Sequence, residues 1–321
     1  MLSLDRVTKV YKVGTFGGKD MVAVRDVSFD INPGEVVSLI GESGSGKTTV
    51  GKMILKLIDI SGGSISLDGL DVASIHGAGV KRYYRHVQGV FQDPFSSYNP
   101  IFKADRVLSL IRSEYFADMA RSEWNAKVEA ALRAVTLDPD QVLNKFPHQL
   151  SGGQLQRLLV ARALLLELKI LVADEIISML DASTRIDVLN MLAELKSRGM
   201  GILFITHDLS LGNYISEKTV ILRRGVVVEM GATDKVFANP THPYTRMLVS
   251  SVPQLHKKWV QIEAELPAPI AGRGGCLFHE MYPLAGRPPE PAADEPTLAK
   301  IEEDHFVGCF DLPSEKASLV A

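Results

Sequence analysis

The sequence predicts an α/β fold in which a mostly parallel sheet is covered on both faces by helices. Three observations carry this. Short apolar runs recur between turn residues, stretches of helical periodicity separate them, and one run opens directly into a glycine-rich loop followed by a helix. Strands buried on both faces read as continuous apolar runs, and these do.

Val36-Val37-Ser38-Leu39-Ile40 lies between Pro33-Gly34 and Gly41 and reads as a buried strand. The loop after it leads into a helix with Val50, Met53, Ile54, Leu57 and Ile58 at spacings of three and four. Residues 87–91 read as another strand, and from 94 to 168 the pattern is helical, most clearly over 128–135. Two strand-like runs follow, 170–173 and 202–206. The helix between them carries Ile186, Leu189, Leu192 and Leu195 and ends near Gly199. Val220-Ile221-Leu222, a turn at Arg224-Gly225 and Val226-Val227-Val228 form a hairpin pattern. Residues 1–240 are therefore expected to form one domain with a helical insertion at 94–168, and 241–321 an extension. In that extension Pro288, Pro289, Pro291 and Pro296 favour an extended linker. There is no internal repeat.

With 321 residues, 46% of them hydrophobic, the chain can bury a full core. A net charge of -3 gives no bulk attraction to DNA, RNA or an anionic membrane. The most apolar region, 158–180, is broken by Arg162, Glu167, Lys169, Asp174 and Glu175, so no membrane span is expected. Two cysteines, Cys276 and Cys309, and a start without an apolar leader point to a reducing, cytoplasmic setting.

Chemistry concentrates in a few motifs. Gly41-Glu42-Ser43-Gly44-Ser45-Gly46-Lys47-Thr48 fits GxxxxGK[ST] between a strand and a helix. Its glycines let successive N–H groups turn toward phosphate oxygens at a helix N-terminus. Lys47 would reach the β- and γ-phosphates, and the Thr48 hydroxyl would ligate Mg²⁺; Thr49 follows in the same turn. Asp174 and Glu175 end the run 170–173, at the sheet edge where ligands of parallel sheets bind. Asp174 is expected to hold Mg²⁺ and Glu175 to act as general base toward water, with His207 at the end of the next strand sensing the γ-phosphate. Leu150-Ser151-Gly152-Gly153-Gln154 heads an amphipathic helix over 155–163 and makes a second anion-binding helix end; alone, it would be an ordinary serine cap. Two such ends mean two nucleotides on one chain, or one nucleotide between two chains.

In this order the motifs resemble the nucleotide-binding subunit of an ATP-binding cassette (ABC) transporter, over residues 2–240. The resemblance implies a P-loop NTPase core with an N-terminal antiparallel β subdomain, an inserted α-helical subdomain and a short C-terminal extension. It makes Tyr11 the aromatic that stacks on adenine and 41–48 the Walker A loop. Gln92 becomes the glutamine that senses Mg²⁺, and Leu150 to Gln154 the signature. Asp174 and Glu175 match the Walker B pair, Asp181 the D-loop aspartate and His207 the switch histidine. It further implies ATP hydrolysis by two cassettes that sandwich two ATP molecules, driving two transmembrane subunits fed by an extracytoplasmic binding protein. The chain would sit peripherally on the cytoplasmic face of the membrane. The second cassette is either a paralogue or a copy of this chain.

Gln92-Asp93-Pro94-Phe95-Ser96-Ser97-Tyr98-Asn99-Pro100, Thr241-His242-Pro243-Tyr244-Thr245 and Gly275-Cys276-Leu277-Phe278-His279 narrow the resemblance to the peptide, nickel and oligosaccharide importers. The loop at 14–21 is similar to that of the second ATPase subunit of such systems. The chain departs from the family at Ile176-Ile177, where Pro-Thr is usual, and at Leu155, often Arg. Four tail cysteines hold an iron–sulfur cluster in some relatives; here only Cys276 and Cys309 remain, with Tyr282 at a cysteine position, so no cluster is expected. A soluble ABC ATPase acting on nucleic acid or ribosomes would carry a long coiled coil or tandem cassettes, and neither is present. The basic and aromatic run Lys81-Arg82-Tyr83-Tyr84-Arg85-His86 is read as a solvated face, with no nucleic-acid partner. Lys47, Glu175 and His207 argue against a non-hydrolysing subunit.

Overall fold

A computed structural model describes residues 1–13, 19–178, 180–252 and 298–308. Cys276, Cys309 and the proline-rich stretch expected to be a linker lie outside them, as do residues 14–18. In chain order the elements are β1 (Leu2–Val13), β2 (Lys19–Ile31), β3 (Val36–Ile40), α1 (Lys47–Ile54), β4 (Gly62–Leu67), β5 (Leu70–Asp71), α2 (Ala78–His86) and β6 (Val87–Val90). There follow α3 (Arg106–Tyr115), α4 (Arg121–Ala134), α5 (Pro139–Val142), α6 (Gly152–Leu164), β7 (Ile170–Asp174), α7 (Ala182–Ser197) and β8 (Gly201–Thr206). The last are α8 (Leu209–Ile215), β9 (Lys218–Arg223), β10 (Val226–Ala232), α9 (Thr233–Ala238), α10 (Pro243–Ser250), β11 (Leu298–Glu302) and β12 (His305–Gly308). Among the described residues no helix is long and apolar enough to cross a membrane.

The chain divides into two compact units. One comprises Met1 and residues 31–35 and 74–204. Its strands run in the order β8-β7-β6, with β6 and β7 parallel in the register Val87↔Ile170 to Val90↔Ala173. Every residue of β7 is buried, as a central parallel strand requires. The insertion is helical as predicted, with α3 and α4 packed on α6. Helix α6 is more deeply buried than an amphipathic helix would be: Leu155, Gln156, Leu158, Leu159, Val160, Ala161 and Ala163 are all inside. On α7 the buried face is set by Val188, Leu189, Met191, Leu192 and Leu195, while Ile186, expected on it, is exposed.

The second unit comprises residues 2–30 and 36–73 and the described part of 205–321. It holds the antiparallel sheet β2-β1-β4-β5 and a second sheet in the order β11-β12-β10-β9-β3. Strand β3 pairs in parallel with β9, Val37↔Lys218 to Ile40↔Ile221, whereas β10, β12 and β11 join antiparallel. Ile40, Leu209, Ile221, Val228, Val236 and Tyr244 form a core cluster. Ser38, a polar residue inside β3, is satisfied by the Thr219 and Ser216 hydroxyls at 2.9 Å each. Helix α1 ends earlier than its apolar spacing suggests. Lys56 adopts φ +51°, the left-handed geometry that stops a helix, and Leu57 beyond it is exposed.

Candidate functional site

The glycine-rich loop leaves β3 at Gly41 and enters α1 at Lys47. Gly46 has φ +104°, and a Cβ there would lie 2.6 Å from the Ala23 carbonyl oxygen, so only glycine makes this entry. No side chain caps α1, which leaves the helix end to other partners. Ser43, Gly44 and Thr48 are exposed along the loop. The Lys47 side chain is buried and folds back, its Nζ donating to the carbonyls of Gly41 and Glu42 at 2.7 Å each. Ser45 Oγ is buried and has no hydrogen-bond partner among the described residues. A loop with a buried ammonium, an orphaned hydroxyl and an uncapped helix end suits a multiply charged anion such as a triphosphate.

Two further side chains touch this loop, those of Tyr244 and Arg223, and the sequence reading did not single them out as functional. The Glu42 N–H donates to the Tyr244 hydroxyl at 3.1 Å. The Arg223 guanidinium lies 4.1 Å from the centre of the Tyr244 ring and 3.9 Å from the Glu42 carboxylate. Behind them the buried Glu229 carboxylate accepts from the amides of Thr241 and His242 at 2.8 Å each and lies 2.8 Å from His305 Nε2. Burial pushes the Tyr244 phenol up to about 12, so it stays protonated at neutral pH. Thr241-His242-Pro243-Tyr244-Thr245 signalled only a family branch in the sequence. Its reach to the loop is tertiary, across 202 positions.

Tyr11 and His207 belong to the same unit as the loop. Tyr11 lies half-buried on β1 with Lys9 Nζ 5.2 Å from its ring centre. His207 is exposed just after β8, where the Thr206 hydroxyl accepts from the Asp208 amide at 3.0 Å.

Gln92, residues 151–154, Asp174, Glu175 and Asp181 belong to the other unit. Asp174 is buried at the end of β7. Glu175 follows with φ +51°, a left-handed backbone that costs a side-chain-bearing residue about 1–3 kcal/mol. The turn closes when Ser178 donates through its amide (3.2 Å) and hydroxyl (2.8 Å) to the Glu175 carbonyl. Ile176 and Ile177 are both buried, so the apolar pair anchors this turn by packing. Asp181 caps α7, its carboxylate accepting from the Ser183 hydroxyl and from the amide and hydroxyl of Thr184. The Ser183 hydroxyl first, then the two Thr184 donors, hold it well below the usual carboxylate range. Gln92 is exposed in the loop after β6, and nearby the Tyr98 hydroxyl donates to the Leu155 carbonyl at 2.9 Å, tying that loop to α6.

At the head of α6, Ser151 and Gln154 form a reciprocal capping box. The Ser151 hydroxyl accepts from the Gln154 amide at 3.2 Å, and the Gln154 side-chain oxygen accepts from the Ser151 amide at 2.9 Å. Gly153 is held by packing: a Cβ would lie 2.7 Å from Thr184 Cγ2, and Thr184 is itself pinned to Asp181. Gly153→Ala is therefore expected to cost about 1–3 kcal/mol and lower Tm by roughly 3–10 °C in a thermal scan. An unchanged Tm would mean that Thr184 yields freely.

The helical insertion carries a groove of about 680 Å³ lined by Leu108, Arg112, Trp124 and Val128 among others. Phe95, Ile101, Phe102 and Leu110 are exposed on the same segment. The basic run on α2 is engaged structurally. Lys81 pairs with Glu114 at 3.1 Å, Arg85 pairs with Glu167 at 2.8 Å, and Tyr83 is buried. Among the described residues no group of three or more His, Cys, Asp or Glu could hold a metal ion.

Comparison with known proteins places this geometry in context. The family profile described as "ABC transporter" matches residues 24–178, and that of "Oligopeptide/dipeptide transporter, C-terminal region" matches 228–287. A putative peptide import ATP-binding protein of Brucella ovis is 38% identical over 290 residues, covering 89% of this chain and 90% of its own. The oligopeptide transport ATP-binding protein OppF of Salmonella typhimurium is 36% identical over 299 residues, covering 91% of this chain and 88% of its own. Among solved structures, a dimeric post-hydrolysis state of the ATP-binding cassette MJ0796 bound to ADP and Pi superposes with a TM-score of 0.65. It is 29% identical, covering 73% of this chain and 99% of that one.

Proposed function

The chain belongs to the ABC transporter ATPase family and carries the C-terminal region of its oligopeptide/dipeptide branch, and from that premise we propose that it powers the uptake of peptides through separate membrane-embedded subunits. The observation that carries the reading is the phosphate loop, with Lys47 buried against its own carbonyls at the uncapped start of α1. ATP phosphates would take the loop amides and draw on the Lys47 charge, while Tyr11 stacks on adenine.

Glu175 takes a proton from the attacking water as that water bonds to the γ-phosphorus. The bond to the β–γ bridging oxygen breaks, leaving ADP and phosphate. His207 contacts the γ-phosphate, and Asp181 fixes the start of α7. Thr48, Gln92 and Asp174 are the residues that would hold Mg²⁺, which when bound offsets phosphate charge; the hydroxyl and carboxylate oxygens among them suit a hard cation. The Ser151 hydroxyl and the glycine amides at the head of α6 would serve a nucleotide held by a second cassette. Dimerisation on ATP and separation after hydrolysis then become the work stroke.

The partners implied are a second cassette, two transmembrane subunits and an extracytoplasmic binding protein, with this chain peripheral on the cytoplasmic face. The apolar segment around Phe95, Phe102 and the groove at Trp124 is where a membrane subunit would dock. The peptide-import relatives and the matched oligopeptide/dipeptide C-terminal region favour peptides over oligosaccharides, opines or nickel. A host strain lacking this chain is expected to lose uptake of labelled oligopeptides and regain it with the wild-type chain. Unchanged peptide uptake together with lost oligosaccharide uptake would reassign the cargo.

A further inference from the structure

We propose that Tyr244 is a positioning residue for the phosphate loop, and that the terminal hairpin β11–β12 holds it there through the buried Glu229–His305 pair. The inference rests on the reading of 41–48 as the ATP-binding loop.

The peptide unit between Gly41 and Glu42 is gripped from both sides. Its carbonyl, the Gly41 oxygen, accepts from Lys47 Nζ at 2.7 Å; its N–H, on Glu42, donates to the Tyr244 hydroxyl at 3.1 Å. A rotation of this peptide would break both bonds and loosen the hold on the lysine that is to meet the phosphates, leaving it the Glu42 carbonyl of these two acceptors. Arg223 adds a second hold on Glu42, lying 4.1 Å from the Tyr244 ring centre and 3.9 Å from the Glu42 carboxylate. The Tyr244 ring belongs to the core cluster with Ile40 and Ile221. Phenylalanine could fill that space, so the hydroxyl is the part that packing alone does not require.

The placement of Tyr244 is fixed in turn. Its amide donates to His242 Nδ1 at 3.0 Å, and the amides of Thr241 and His242 each donate to Glu229 at 2.8 Å. Glu229 and His305 are both fully buried, and His305 Nδ1 lies 3.1 Å from Glu302 on β11. A buried carboxylate that lost its histidine partner would be costly, so the segment 241–244 and the hairpin hold each other in place.

The test is ATP binding to the full-length chain, measured by calorimetry, beside thermal unfolding without nucleotide. Tyr244→Phe is expected to weaken ATP binding about two- to tenfold, because the loop is less often in its binding-competent form. Glu229→Gln is expected to weaken binding in the wild-type background and to add less than about twofold in the Tyr244→Phe background, since both act through one hydroxyl. Unchanged affinity in Tyr244→Phe, with only the unfolding temperature lowered, would overturn the proposal and leave Tyr244 a core residue. Fully additive losses would overturn the link to the hairpin. A wild-type chain that binds no ATP would overturn the nucleotide reading, and this inference with it.

Discussion

Replacing Glu175 with glutamine is expected to leave ATP binding intact and slow hydrolysis about 10²–10⁴-fold, equivalent to roughly 3–5 kcal/mol of barrier. The amide matches the carboxylate in size but cannot take a proton from water. The effect is therefore expected in turnover and not in affinity. The backbone supports the assignment independently. Glu175 sits at φ +51° directly after the buried strand β7, held in that geometry by Ser178 and by the packing of Ile176 and Ile177. That packed turn fixes the direction in which Glu175 leaves the strand end. Phosphate release by the purified chain measures the effect, with bound nucleotide quantified in parallel. Wild-type turnover in Glu175→Gln would remove Glu175 from the chemistry.

Lys47→Ala has the second largest expected effect, on binding itself. A charge-assisted hydrogen bond contributes about 1.5–3 kcal/mol, so ATP affinity is expected to fall roughly 10- to 150-fold. The loss has two sources. The phosphates lose a cation, and the carbonyls of Gly41 and Glu42 lose the donor that curls the loop. Tyr244→Phe disturbs only the second, which is why its expected loss is smaller. Unchanged ATP affinity in Lys47→Ala would count against the phosphate assignment.

Much of this was legible in the sequence because it is local. Strand β3 was bounded to the residue, since Pro33-Gly34 and Gly41 punctuate an unbroken apolar run. Walker-type spacing named Lys47 and Thr48, and the end of the later apolar run 170–173 named Asp174 and Glu175. Helix phase was harder to read. Ile186 has an apolar side chain at helical spacing yet faces outward, because the face of α7 is chosen by what packs on it. The end of α1 depends on the left-handed Lys56, which no propensity scale marks. The support behind the loop was least legible. Tyr244, Glu229 and His305 meet it or each other across 202 and 76 positions. A buried carboxylate in β10 and a histidine in β12 become a pair only once the hairpin adds to the sheet edge.

The measurement that tests the central claim most directly is affinity purification of the tagged, full-length chain from detergent-solubilised membranes of its native host. The account predicts recovery with two polytopic membrane proteins and a second cassette, in a complex whose ATPase activity rises when a peptide-loaded binding protein is added. Recovery only outside the membrane fraction, with ribosomes or nucleic-acid-bound proteins, would contradict the transport reading and leave only the ATP chemistry standing.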